Sequence, residues 1–184
     1  MLNFWDVDGV KVIWMNNVKE RLKEERGKGK KEGVVYYGSY CSYDKVKVGG
    51  KVLFWDLYKG SRFELFKMRV EDIKRERVFI FSGLYGLVLC NEYGMWYDKF
   101  MDRYELNKMK DVVKKRLSEF KDEKGLVKVV YYIEERIIKS WWYVEVIKRG
   151  CEELGIEIEI RDVLFDKVVD WEEMLEGKNL FVGF

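Results

Sequence analysis

The chain has 184 residues, of which 48% are hydrophobic and 37% charged, and it contains no proline and no histidine. This length and apolar share predict one domain with a buried core, and they exclude a disordered tail or a small disulfide-stapled scaffold. The net charge of +2 is too balanced to predict nucleic-acid binding from bulk electrostatics, and the missing histidine excludes Ser-His-Asp, Cys-His and His-ligated metal mechanisms.

Cysteine usage and hydropathy indicate the compartment. Cys41, Cys90 and Cys151 are an odd number without a C-x-x-C spacing, so we expect no metal site, and Cys151 is expected in the core. The longest uncharged run, 78–91, is too short and too interrupted to cross a bilayer, and residues 1–6 do not resemble a secretory signal. We therefore expect a cytoplasmic protein without a membrane segment. Abundant Lys, Arg and Glu resemble hyperthermophile usage, although the missing prolines argue against it.

Residues 1–32 are predicted to form an N-terminal helical extension, with a helix over 16–26 that Gly27 ends. Seven basic and three acidic residues lie in Lys19–Lys31. Such a run is usually a solvated face, and its alternative role is contact with nucleic-acid phosphates. The lysines that would make this contact are Lys28, Lys30 and Lys31.

The middle of the chain predicts strands and a helix. Val34–Tyr37 indicates a strand, and 46–54 alternates on both sides of Gly49-Gly50, which predicts a two-residue hairpin. Ser61–Glu64 matches a capping box and predicts the start of a helix. Val78–Phe81 is apolar at every position, which is typical of a strand covered on both faces of a parallel sheet.

The C-terminal half continues the alternation of helices and strands. Asp102–Glu105 repeats the capping box before a helix whose apolar face is Leu106, Met109, Val113, Leu117 and Phe120. The further predicted elements are a strand over Leu126–Ile133, a helix over Ile137–Leu154, an edge strand over Ile156–Ile160 and a short helix over Asp170–Glu176. Helices between successive strands predict a single α/β domain, with a mostly parallel sheet flanked by helices and an inserted β-hairpin.

Two loops with glycine and hydroxyl side chains follow predicted parallel strands. They are Gly38–Ser42 and Ser82–Leu87. In open α/β sheets the ligand crevice lies beyond the carboxyl ends of the strands, so both loops are candidate binding loops. The alternative is that both are ordinary turns, because G-x-x-G alone is a weak motif.

Three separate motifs resemble a known family. Asp56–Phe63, Phe81–Leu87 and Tyr97-Asp98 are similar in order and spacing to the DLYxGSLF-like, ILSAKYGLL and PYD motifs of a little-characterised domain family related to the peroxide-stress protein YaaA. The resemblance covers roughly residues 34–165 and implies a nucleic-acid or nucleotide context. The motif positions are Tyr58, Gly60, Ser61, Ser82, Tyr85, Gly86, Tyr97 and Asp98.

This chain also departs from the family pattern. Gly83 and Leu84 stand where alanine and lysine are usual, which removes a candidate cation, and Met95-Trp96 stands where the proline is expected. Tyr37–Cys41 replaces the cysteine-glycine-lysine loop of the relatives.

The first hypothesis is an enzyme acting on a nucleobase or nucleotide. Asp98 would act as acid or base, with Ser82 and Tyr85 beside it. The residues expected to bind its ligand are Gly38, Ser39, Tyr58, Gly60, Ser61, Gly83, Gly86, Tyr97 and Arg136. The sequence identifies no cofactor.

The second hypothesis is a non-catalytic DNA or RNA binder, which would use the lysines of the basic turn together with Lys114 and Lys115. The third is an interaction protein, since 16% aromatic residues could furnish a homodimer face. Structural roles stay open beside these hypotheses. Ser61 could be a helix cap, Tyr58 and Tyr97 could be core aromatics, and Ser82 could satisfy backbone groups.

A minor alternative is a haloacid-dehalogenase-type phosphatase. Asp6 and Asp8 match a DxDG element, in which the first aspartate would be the nucleophile and the second the acid/base. Ser82 would supply the second motif, and Asp162 and Asp166 would bind magnesium. Only four residues lie between Met1 and Asp6, which is too few for a good central strand before the motif. So short a motif also has a high false-positive rate.

Overall fold

The computed structural model of the chain describes residues 33–99, 101, 103–134 and 141–177. The chain divides into two units, Met1–Gly33 and Val34–Phe184, and all elements described below belong to the second. Some predicted features lie outside the described residues. They are the helix over 16–26, the lysines Lys28, Lys30 and Lys31, the pair Asp6 and Asp8, and Arg136.

The described residues form seven strands and five α-helices. In chain order these are β1 (Val34–Tyr40), β2 (Val52–Leu53), α1 (Phe54–Leu57), α2 (Ser61–Arg69), β3 (Val78–Ser82), β4 (Gly86–Leu89), β5 (Tyr93–Gly94), α3 (Leu106–Lys124), β6 (Leu126–Ile133), α4 (Trp141–Glu153), β7 (Glu157–Asp162) and α5 (Trp171–Gly177). Arg75–Arg77 and Arg103–Glu105 form short 3₁₀ segments before β3 and α3.

Five strands form one sheet in the order β4-β3-β1-β6-β7. β1 is parallel to β3 and β6, and β6 is parallel to β7, whereas β4 pairs antiparallel with β3. Every residue of Val78–Ser82 is buried, because helices or loops cover both faces of this part of the sheet. The predicted α/β fold with a mostly parallel sheet is confirmed.

The inserted antiparallel pair has different partners from those predicted. Val52–Leu53 pairs with Tyr93–Gly94, so no local hairpin forms at Gly49-Gly50. Both of those glycines are exposed, and no atom lies near the position of an added Cβ. At Gly94, by contrast, a Cβ would lie 2.3 Å from the Phe54 ring, so this glycine lets the ring pack against β5. Burial of an aromatic ring therefore favours the distant pairing over the local one.

Helices lie on both faces of the sheet. Tyr36 of β1 contacts Phe120 of α3 with ring centroids 4.9 Å apart, whereas Ser39, three residues along the strand, contacts Arg62 of α2. Because side chains alternate along a strand, residues three apart point to opposite faces. All five predicted core positions of α3 are buried: Leu106, Met109, Val113, Leu117 and Phe120.

Helix α2 does not begin as the capping box predicts. Gly60 is its N-cap, Ser61 is the first helical residue, and no side chain caps the helix. The Glu64 amide donates to the Gly60 carbonyl at 3.0 Å. The cap position therefore falls one residue before the predicted one, at Gly60, whose φ of 100° a glycine adopts without strain.

The later elements agree with the sequence pattern. β6 has the predicted bounds, and Gly155 follows α4 with φ of 63°, as a helix-ending glycine does. β7 occupies an edge of the sheet, in agreement with its alternating pattern. Among the described helices, none combines the length and the apolar character needed to cross a membrane.

Candidate functional site

Three distant segments meet in one hydrogen-bonded chain of hydroxyl groups. The Tyr97 hydroxyl lies 2.7 Å from the Tyr58 hydroxyl and 2.7 Å from the Ser82 hydroxyl. Ser82 also accepts hydrogen bonds from the backbone amides of Leu84 at 3.2 Å and Tyr85 at 3.0 Å. We call Tyr58, Ser82 and Tyr97 the hydroxyl network. It joins the helix start, the strand-and-turn motif and the downstream motif of the sequence analysis.

The hydroxyl network is buried and neutral. Tyr58 and Ser82 are inaccessible to solvent, and Tyr97 is only 7% exposed. Burial raises the pKa of both Tyr58 and Tyr97 well above the usual tyrosine value, so neither phenol is ionised at neutral pH. The three hydroxyls satisfy one another and the turn amides. This arrangement holds the 83–85 turn in place.

Tyr85 lies between this network and the surface. Its ring makes edge contacts with Tyr97 and Phe54 at centroid distances of 5.4 and 5.3 Å. Its hydroxyl lies 3.4 Å from both the amide nitrogen and the carbonyl oxygen of Met95. The ring is therefore fixed by three neighbours while part of it stays exposed.

Asp98 is not part of the network. It follows Tyr97 directly but is exposed, and in the described part of the chain no group hydrogen-bonds or pairs with its carboxylate. The structure thus brings Ser82 and Tyr85 together with Tyr58 and Tyr97 and leaves Asp98 in solvent. A catalytic role for Asp98 stays a prediction.

The carboxyl end of β1 holds an arginine that the motif analysis did not assign a role. Arg62 donates to the Ser39 hydroxyl and the Tyr40 carbonyl, each at 2.8 Å, and stacks on the Tyr40 ring at 3.9 Å. Ser39 in turn donates to the Tyr132 carbonyl at 2.8 Å. Arg62 directly follows Ser61 in the DLYxGS-like motif, and this position could have indicated from the sequence that Arg62 belongs to the site.

The predicted binding glycines have packing neighbours. A Cβ on Gly38 would lie 2.1 Å from the Phe79 ring, and one on Gly60 would lie 3.1 Å from the Asp44 carboxylate. Gly86 has φ of 73° and lies against Val112, where a Cβ would be 2.6 Å from a methyl group. Gly83 is buried within the turn, and Ser61 is exposed at the start of α2.

A patch of exposed apolar side chains lies beside Tyr85. Tyr93 is 65% exposed, Met95 52% and Trp96 36%. The Tyr85 hydroxyl contacts the Met95 backbone, Tyr85 and Tyr93 line the same groove, and Trp96 follows Met95 in the chain. We call Tyr85, Tyr93, Met95 and Trp96 the aromatic patch.

Lysines accompany this patch. Lys47 Nζ lies 5.3 Å from the centre of the Trp96 ring, and Lys45 Nζ lies 4.5 Å from that of Tyr97. No carboxylate among the described residues pairs with Lys45 or Lys47. The patch therefore combines exposed aromatic side chains with two lysines that form no ion pair with a described carboxylate, and the exposed Asp98 lies in the same segment.

The two predicted lysines of α3 differ in their surroundings. Lys114 pairs with Glu153 at 2.6 Å, and this carboxylate raises the lysine pKa through a hydrogen bond and through its charge. Lys115 is exposed, pairs with no described carboxylate, and lines a groove that Tyr85 and Tyr93 also line. This places a lysine without a described carboxylate partner in that groove.

The aspartates predicted to bind magnesium have other partners. One carboxylate oxygen of Asp162 accepts from the amides of Leu164 and Phe165, each at 2.9 Å. Asp166 accepts from the Tyr132 hydroxyl at 3.2 Å and pairs with Arg161. Within the described ranges, no three or more Cys, Asp or Glu side chains are grouped to hold a metal ion.

The three cysteines are buried and unpaired. Cys151 is fully buried, as the sequence predicts. Burial raises the pKa of Cys90 and of Cys151 to about 12, so these thiols stay protonated at neutral pH. Cys41 lies 3.5 Å from the Tyr143 hydroxyl.

Comparison of the chain with protein-family models, with curated proteins and with solved structures finds no match.

Proposed function

We propose that this protein binds single-stranded nucleic acid on the aromatic patch. The observation that carries the proposal is the combination of exposed rings at Tyr93 and Trp96 with Lys45 and Lys47, which form no ion pair with a described carboxylate. Exposed aromatic rings and nearby lysines are the two components that single-strand binders use, because bases stack on rings while lysines contact phosphates.

The resemblance to the YaaA-related family supports the same proposal, because it implies a nucleic-acid or nucleotide context. In this proposal the family-type residues divide into two groups. Tyr58, Ser82 and Tyr97 hold the loops from inside, and Tyr85 at their boundary contributes to the binding surface. Binding is favoured over catalysis because Asp98 does not contact the other predicted catalytic residues.

Fluorescence anisotropy with labelled single-stranded oligonucleotides tests the proposal. The measurements use the full chain, DNA and RNA of mixed sequence, and a series of salt concentrations. Trp96→Ala and Tyr93→Ala should each weaken binding by about 1–3 kcal/mol, roughly 5- to 150-fold, which is typical for the loss of one stacked base.

The matched control is Phe165→Ala. Phe165 is as exposed as Tyr93 but follows β7, at the opposite edge of the sheet from β4. Four strand spacings, about 19 Å, separate these edges, so this variant should bind like the wild type. Wild-type protein that binds no oligonucleotide at low salt would refute the proposal.

The same surface suits a protein partner, and one measurement separates the two functions. If the aromatic patch were a homodimer face, Trp96→Ala would change the sedimentation coefficient of the protein without nucleic acid. Under our proposal the variant sediments like the wild type and differs only in oligonucleotide affinity.

A further inference from the structure

A groove of about 620 Å³ lies between β4 and α3, next to the aromatic patch. Its volume is in the range of pockets that hold small organic ligands or parts of larger ones. The residues that line it are Phe54, Tyr85, Leu87, Val88, Glu92, Tyr93, Val112, Lys115, Arg116 and Glu119. Two partly exposed rings and a row of charged groups thus face one space.

The charges in this groove balance. Arg116 donates to Glu119 Oε2 at 3.0 Å and pairs with Glu92 through its other terminal nitrogen. Lys115 adds one more positive charge, so two cations stand against two carboxylates. Since the sum is zero, the groove has no net charge to attract a phosphate, unlike Lys47 beside Trp96.

One carboxylate in the groove keeps a free acceptor. Glu92 uses both oxygens, one for Arg116 and the other for the Leu89 amide at 2.7 Å. Glu119 uses Oε2 for Arg116, and no donor in the described part of the chain contacts its Oε1. Arg116 fixes this carboxylate, so Oε1 is a positioned and negatively charged acceptor.

We propose that the groove binds a nucleobase that carries an exocyclic amino group, with that group donating to Glu119. This inference rests on the proposed function and names the part of the nucleic acid that enters the groove. Tyr85 and Tyr93 supply aromatic contact for the base, and the balanced charges suit a neutral heterocycle. Carboxylates accept from the N4 amino group of cytosine in protein–DNA recognition.

Uracil fits the same groove poorly. It carries a carbonyl oxygen where cytosine carries the amino group, so its edge presents an acceptor to the Glu119 carboxylate. Two acceptors facing each other leave the Oε1 atom of Glu119 without a donor after it has lost water, although Oε2 keeps its bond to Arg116. Cytosine and uracil are otherwise almost equal in size and stacking surface, so a preference between them reports on this contact.

The experiment measures the affinities of the full chain for oligo(dC) and oligo(dU) of equal length at neutral pH. We expect oligo(dC) to bind on the order of tenfold more tightly, as one good base-edge contact provides. Glu119→Gln should reduce this preference to near unity, because the amide is neutral and can present either a donor or an acceptor. Thermal unfolding checks that the variant remains folded.

The control is Glu123→Gln, one turn further along α3, where the side chain is exposed and does not line this groove. This variant should keep the wild-type preference. Equal affinities for the two oligonucleotides, or a preference that survives Glu119→Gln, overturn this inference and leave the proposed function intact. Absence of binding to both oligonucleotides refutes the proposed function and this inference with it.

Discussion

Trp96 and Tyr97 are adjacent in the chain and belong to different parts of the molecule. Tyr97 is 7% exposed and bridges two buried hydroxyls, whereas Trp96 is 36% exposed beside Lys47. The hydroxyl network and the aromatic patch therefore begin one peptide bond apart. Neighbouring residues of one segment thus divide between the buried network that holds the loops and the exposed surface that we propose binds nucleic acid, and burial separates the two.

Gly38→Ala tests the packing of the buried sheet and should have the largest effect. Its new Cβ would lie 2.1 Å from the Phe79 ring, which is fully buried and stacked on Tyr131. We expect a loss of about 3 kcal/mol in the free energy of unfolding, at the upper end of the overpacking range. Chemical denaturation measures it.

Gly50→Ala is the matched control, because no atom lies within 4 Å of its Cβ position. It should change stability by less than about 0.5 kcal/mol. Equal unfolding midpoints for the two variants would show that Gly38 is not a packing glycine, and its predicted role in ligand binding would regain weight.

Tyr97→Phe tests the hydroxyl network itself. The change leaves the buried hydroxyls of Tyr58 and Ser82 with one partner fewer, which costs about 1–3 kcal/mol. Tyr93→Phe alters only an exposed hydroxyl and should cost less than about 0.5 kcal/mol. Oligonucleotide affinity should be the same in Tyr97→Phe and wild type at a temperature where both are folded. A large loss of oligonucleotide affinity in Tyr97→Phe would show that the hydroxyl network takes part in binding together with the aromatic patch.

The free energy of unfolding at alkaline pH also depends on the buried tyrosines of the hydroxyl network. Burial raises the pKa of Tyr97 in the folded protein. The contribution of Tyr97 to the free energy of unfolding is therefore complete below the unfolded-state pKa near 10, and it is lost as the pH rises toward the folded-state pKa. Each such tyrosine removes up to about 1.4 kcal/mol per pH unit in that window. Urea unfolding from about pH 9 to 11 should show a shallower decline in Tyr97→Phe than in the wild type. Parallel curves would mean that Tyr97 ionises normally in the folded protein.

The smallest expected effect concerns the patch. Lys47→Ala removes one cation beside Trp96, so the slope of log affinity against log salt should become shallower by about 0.7, the single-strand value per phosphate contact. Lys114→Ala is the control, because Lys114 is already paired with Glu153. The same change of slope in both variants would mean that Lys47 beside Trp96 contacts phosphate no more than Lys114 does.

Local patterns predicted the elements well where burial has a regular period. The apolar face of α3 and the bounds of β6 agree with the sequence because each repeats its signal several times. The predicted hairpin pairing of Val52–Leu53 was wrong. Gly49-Gly50 matched a turn motif, but the strand pairs with Tyr93–Gly94, where the Phe54 ring packs against Gly94.

The site was predicted in part. The sequence predicted Tyr58, Ser82 and Tyr97 as members of a larger site and left open whether the two tyrosines are core residues; the three do meet, and all are buried. Arg62 and Glu119 received no role, because their partners Ser39 and Arg116 have no motif that links them to these residues. Asp98 was predicted beside Ser82 because it follows Tyr97 in the same motif, but the structure buries Tyr97 and leaves Asp98 exposed.

The sequence by itself determined the α/β class, the order of the elements and the apolar core, because hydrophobic periodicity along a strand or helix is a local property. Tertiary structure alone decided which hydroxyls are shielded, which rings face water and which charges remain uncompensated. Those outcomes depend on contacts between residues such as Tyr58 and Tyr97, 39 positions apart, whose approach depends on the packing of every element between them.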